Sequence, residues 1–114
     1  MALQGTTRVV GQVIIVDFSG KITLGEGSSL LRKTVRDLID RGHLKILINL
    51  DDVDYIDSSG IGELVSAFTT VQNARGELKL LNLTKRVHDL LQITRLFTVF
   101  DVQSDEEKAL SSFR

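Results

Sequence analysis

The chain has no cysteine. That excludes a disulfide framework and any cysteine-built metal site, and it fits a reducing compartment such as the cytoplasm. Proline is also absent, and no low-complexity segment, linker or internal repeat interrupts the sequence. Neither charge sign is in excess: 14 basic residues face 15 acidic ones, for a net charge of -1. Direct nucleic-acid binding, which runs on surplus Lys and Arg, is therefore not expected. No apolar run approaches the ~20 residues of a membrane span. Met1-Ala2-Leu3-Gln4-Gly5 lacks the basic start and apolar centre of a secretory leader. What remains is 114 residues, 42% hydrophobic and 25% charged, which suits one domain over 1–114 with a core of its own.

Strand and helix patterns alternate along the chain. Thr6 to Val10 and Val13 to Phe18 are β-rich runs around Gly11-Gln12, a pair suited to a type II′ hairpin turn. Val13-Ile14-Ile15-Val16 is apolar on both faces, as a central strand is; Ser19-Gly20 is expected to end it. Thr23-Leu24-Gly25-Glu26 has the T-x-x-E form of a capping box. It predicts a helix to about Arg41 with Leu31, Val35, Leu38 and Ile39 inward and Gly42 as its stop. Leu44 to Leu50 reads as a strand and Asp51-Asp52-Val53-Asp54 as a loop. A helix then carries Ile61, Leu64, Val65, Phe68 and Val71 on one stripe and ends at Arg75-Gly76. Glu77 to Leu81 is another strand, Thr84 caps a helix, Phe97 to Val102 is a short strand, and Ser104-x-x-Glu107 opens a last helix ending near Phe113. The order ββαβαβαβα predicts an α/β fold: a mixed, mostly parallel sheet of about five strands, with an antiparallel hairpin at its edge, packed against about four helices.

Enzyme motifs fail on named residues. A nucleophile elbow needs Gly two residues before its Ser, and relative to Ser58 that place holds Ile56. A Walker loop needs Gly-Lys-Ser/Thr, and Gly20-Lys21 is followed by Ile22. Gly60-x-Gly62 runs on to Val65, where a dinucleotide fingerprint wants Gly or Ala, and the acidic loop separates it from the strand. His43 and His88 have no partner at a metal-ligand spacing, and Asp52, Asp54 and Ser58 match a calcium loop poorly. No metal, no cofactor and no catalysis are expected.

Asp57-Ser58-Ser59-Gly60-Ile61-Gly62 is the most informative stretch. Asp and Ser are favoured helix caps, so one of the three polar residues starts the helix. A helix start also presents free amides and the positive end of the dipole, which suit a phosphate. Gly60 and Gly62 each cost about 1 kcal/mol against Ala inside a helix. Bare backbone there lets another protein approach the hydroxyl. The interval between Lys45 and Arg75 contains no Lys or Arg, while it holds Asp51, Asp52, Asp54, Asp57 and Glu63. The surroundings of the motif are therefore expected to be acidic.

The D-S-S-G-x-G core resembles the signature of bacterial anti-sigma factor antagonists, the single-domain members of the STAS family. The likeness extends to the opening hairpin, to Gly20, to Ile46-Leu47-Ile48-Asn49-Leu50, to Gly76-Glu77-Leu78 and to Leu90 through Phe97. It implies the STAS fold with the motif at the start of the second helix. It implies a binding module that is a kinase substrate: Ser58, directly after the motif Asp, is phosphorylated by an anti-sigma factor that is itself a serine kinase, and a serine phosphatase resets it. Ser59 is the runner-up phosphosite. The unphosphorylated form then binds the anti-sigma factor and releases its sigma factor, with Asp57, Ser59, Gly60, Ile61, Gly62 and Thr23 as partner-binding positions. Leu64 and Ile61 are weighed as apolar contacts against a place in the core. Thr23 stands where the family often has Asp, a departure that bears on regulation more than on fold. The alternative is a non-switching STAS scaffold in a larger assembly, in which Ser58 is only part of a cap.

Overall fold

The computed structural model describes residues 2–114; Met1, the first residue of the segment examined for a leader, lies outside the described residues. Its elements run in the order expected: β1 Gln4–Val10, β2 Val13–Ile22, α1 Glu26–Asp40, β3 Lys45–Ile56, α2 Ser58–Asn73, β4 Glu77–Leu81, α3 Lys85–Ile93, a 3-10 turn Phe97–Val99, β5 Val102–Gln103 and α4 Glu106–Ser112. The five strands form one sheet in the order β1-β2-β3-β4-β5. β1 pairs antiparallel with β2, and every other pairing is parallel. Gly11 turns the hairpin at φ 62°, as a type II′ turn requires of its first residue.

Each face of the sheet is covered. Ile14, Val16, Ile46, Ile48 and Leu80 meet Leu31, Val35 and Leu38 of α1, Leu64 and Val71 of α2, and Val87 and Leu91 of α3 in the main core. On the other face Val13, Ile15, Leu47 and Leu81 meet Ala109 of α4. The doubly apolar run in β2 follows from this, because both its faces are buried.

Five local expectations fail. β2 does not stop at Ser19-Gly20 but reaches Ile22, and β3 does not stop at Leu50 but reaches Ile56. The register shifts between Asp17 and Ser19 and between Gly20 and Lys21, so the pairing bulges twice. Bulging lets the acidic run face water while Val53 and Ile56 stay fully buried. Asp51-Asp52-Val53-Asp54 is therefore strand, and β3 feeds α2 directly.

Thr23 does not cap α1. Gly25 is the cap residue at φ 98°, with no side-chain cap bond, and Thr23 stands three residues ahead of Glu26. The final strand is two residues of β5, because Phe97–Val99 closes into a 3-10 turn. The last helix is capped by Asp105, whose carboxylate accepts from the amides of Glu107 and Lys108, not by Ser104.

Candidate functional site

The site is the junction of β3 and α2. Asp57 sits in extended backbone as the N-cap of α2, and its Oδ1 accepts from the Gly60 amide at 2.8 Å. The Ile61 amide donates to the Asp57 carbonyl at 3.0 Å, which closes the first helical turn. Capping therefore falls to Asp57, and the Ser58 hydroxyl is left out of it. Ser58 is exposed at the first helical position and Ser59 is half-buried beside it. Their amides belong to the set at a helix start that has no partner within the helix.

The two glycines differ. A Cβ on Gly60 would land on the Ile22 carbonyl oxygen and 2.6 Å from Ile56 Cγ1. Gly60 is buried and exists so that α2 can lie against the ends of β2 and β3. The idea that it keeps an approach open is overturned. Gly62 is exposed, and a Cβ there meets nothing within 4 Å. Only Gly62 offers bare, open backbone beside Ser58, one turn further along the same helix face.

Ile61 and Leu64 take their places in the core, at 2% and 0% exposure. The Ile61 side chain therefore has no surface to offer a partner in this conformation. Thr23 is half-buried in the turn before α1, where its carbonyl accepts from the Ser28 amide at 3.0 Å and the Ser28 hydroxyl at 2.9 Å. This turn reaches the site through its next residue: the Leu24 amide donates to Asp57 Oδ2 at 3.2 Å. One carboxylate thus ties together the start of α2 and the turn between β2 and α1. Leu24 was not singled out by the sequence, because a lone leucine in a turn carries no periodic signal.

The acidic surround is also smaller than the sequence suggested. Glu63 is 8% exposed and accepts from Arg32 of α1 at 2.7 Å. Asp54 lies 3.6 Å from Lys21. Arg86 stacks 4.5 Å from the Tyr55 ring centre and Lys21 sits 5.4 Å from it. Bases absent from 46–74 come back from β2, α1 and α3 once the chain folds. Asp51 and Asp52 remain exposed along β3.

No group of three or more His, Cys, Asp or Glu among the described residues is placed to hold a metal. His88 rests against Asp89 at 3.5 Å and against the Phe97 ring. An open cleft of about 620 Å³ is lined in part by Phe68, Gln72, Lys79 and Asp101, and no motif residue lines it. No helix among the described residues is long and apolar enough to cross a membrane.

The chain has relatives along most of its length. The STAS domain model matches residues 4–109. The anti-sigma-B factor antagonist of Bacillus subtilis is 35% identical over 94 residues, covering 82% of this chain and 84% of that protein. The anti-sigma F factor antagonist of Paenibacillus polymyxa is 27% identical over 100 residues, covering 87% of this chain and 85% of that one. The crystal structure of an anti-sigma factor antagonist from Mycobacterium paratuberculosis superposes with a TM-score of 0.87 at 16% identity, covering 99% of this chain and 95% of that chain. This last likeness speaks for the fold alone.

Proposed function

The chain belongs to the STAS domain family, and from that premise we propose that it is an anti-sigma factor antagonist switched by phosphorylation of Ser58. Residues 1–114 act as a single STAS unit. The unphosphorylated protein binds an anti-sigma factor that is also a serine kinase and frees the sigma factor; a serine phosphatase reverses the modification. It works in the cytoplasm as a binding partner and kinase substrate, without a cofactor and without catalysis of its own.

One observation carries the reading: Ser58 is exposed at the first position of α2 while Asp57 does the capping. The hydroxyl is therefore free for transfer of a phosphoryl group, and the helix start can hold the product. The amides of the first turn and the dipole favour a dianion there, by about 0.3–1 kcal/mol per charge at an exposed end. The likeness to the Bacillus subtilis antagonist over most of both chains supports the same partner class. Ser58 is preferred to Ser59 because Ser59 is half-buried and lies one turn from Glu63 on its helix face.

Phosphate adds about -1.5 to -2 charge at neutral pH. Beside Asp57, that charge opposes any partner surface built for the bare hydroxyl. The test is mass spectrometry with site mapping after incubation with ATP and the anti-sigma kinase of the same cell. One phosphate on Ser58 is expected, none on Ser58→Ala, and one on Ser59→Ala. Phosphate on Ser59 refutes the residue choice. No phosphate at all contradicts the switch and favours the non-switching scaffold.

A further inference from the structure

Leu24 is 79% exposed, more than any other large apolar residue among those described. A single exposed leucine is ordinary on a protein surface and means little by itself. Its attachment gives it meaning. Its amide is bonded to Asp57 Oδ2, and the other oxygen of that carboxylate caps α2 next to Ser58. On one side of Leu24 the turn is fastened by the Thr23 carbonyl, which takes both the amide and the hydroxyl of Ser28. On the other side is Gly25 at φ 98°, where a Cβ would meet nothing within 4 Å. The leucine is thus held outward by backbone bonds, and its side chain contributes little to the core.

We propose that Leu24 is the apolar anchor this chain inserts into its anti-sigma kinase, and that Asp57 couples the anchor's position to the state of Ser58. The inference rests on the partner reading given above and names the contact and its control. The matching surface is an apolar socket with a cationic rim, because the exposed Glu26 stands two residues after Leu24 and the Asp57 carboxylate is bonded to the Leu24 amide. Residues that dominate an interface are desolvated in pockets near its centre; they are more often Trp, Tyr or Arg than Leu, so the case for Leu24 rests on its attachment to Asp57.

The coupling follows from two bond lengths. Asp57 holds the Gly60 amide at 2.8 Å and the Leu24 amide at 3.2 Å. A phosphate on the next residue repels the carboxylate. The longer and weaker of the two bonds yields first, and it is the one that fixes Leu24. Phosphorylation then both charges the contact and unfastens its anchor.

The experiment measures the affinity of the unphosphorylated full chain for the anti-sigma kinase by calorimetry. It compares the parent with Leu24→Ala, Leu24→Met and, as an equally superficial control, Val9→Ala, which is 62% exposed on β1. Leu24→Ala is expected to weaken binding by at least about tenfold, the scale of an interface anchor. Leu24→Met keeps it within about threefold, since it preserves volume. Val9→Ala leaves it unchanged. Amide hydrogen exchange at Leu24 is expected to speed up in Ser58-phosphorylated protein while that at Gly60 does not. Equal binding by parent and Leu24→Ala overturns the anchor, and unchanged exchange at Leu24 overturns the coupling. A parent that binds no anti-sigma kinase at all overturns the partner reading itself, a result distinct from both.

Discussion

Replacing Gly60 by alanine drives a methyl carbon into the Ile22 carbonyl oxygen and to within 2.6 Å of Ile56 Cγ1, whereas the same change at Gly62 meets nothing within 4 Å. Overpacking of this kind costs about 1–3 kcal/mol. At Gly62 the helix gains up to about 1 kcal/mol from the better helix former. Urea midpoints of the two variants are therefore expected to move in opposite directions from the parent. Equal shifts would refute the distinction between a packing glycine and an open one. The sequence shows two glycines at the start of a helix and nothing to separate them. What separates them is the end of β2, a segment 38 residues earlier in the chain (60 against 22). The cap itself was legible as one of Asp57, Ser58 and Ser59, since those side chains bond amides two or three residues on. Thr23 and Ser104 had the same local grammar and were not caps. A residue with positive φ at Gly25 and a nearer carboxylate at Asp105 decided those starts instead.

Among the elements, the helix and strand order was readable because each apolar stripe has a period of its own. The extent of β3 was not, since acidic residues are disfavoured in strands and only bulged pairing with β2 accommodates Asp51, Asp52 and Asp54. α4 depends on partners far away in sequence. Arg8 of β1 donates to Asp17 of β2 at 2.7 Å and to Glu106 at the start of α4 at 2.6 Å. Those bonds hold both carboxyls below their usual range, with Arg8 as the largest cause for each. Groups depressed in the folded state bind fewer protons there than in the unfolded chain. Their contribution is therefore present above the unfolded values, near pH 4, and is lost as pH falls through the folded ones. These side chains are substantially exposed, so solvent screening limits the contribution to about 0.5–1 kcal/mol. Arg8→Ala is expected to lower the unfolding free energy at neutral pH, measured by urea titration, by that amount. Its deficit against the parent should shrink as the pH drops below about 4. A deficit that persists unchanged in acid would show that Arg8 acts through packing instead.

For the molecule as a whole, family and architecture were legible from the D-S-S-G-x-G core and its flanking strands. The electrostatic surround of the motif was not. The interval without bases becomes a region where Arg32, Lys21 and Arg86 approach from other elements. The proposed switch therefore depends less on a bare acidic patch than on the charge added at one position beside Asp57. The fold has little reason to change with it, because Ser58 is exposed and the neighbouring core residues Ile61 and Leu64 are already buried. The most direct measurement is calorimetric titration of the anti-sigma kinase, in ADP to prevent further transfer, with the unphosphorylated and the Ser58-phosphorylated protein. The phosphorylated form is predicted to bind at least about thirtyfold more weakly, as loss of one charge-assisted contact implies, with an unchanged circular dichroism spectrum. Equal affinity of the two forms would contradict the account.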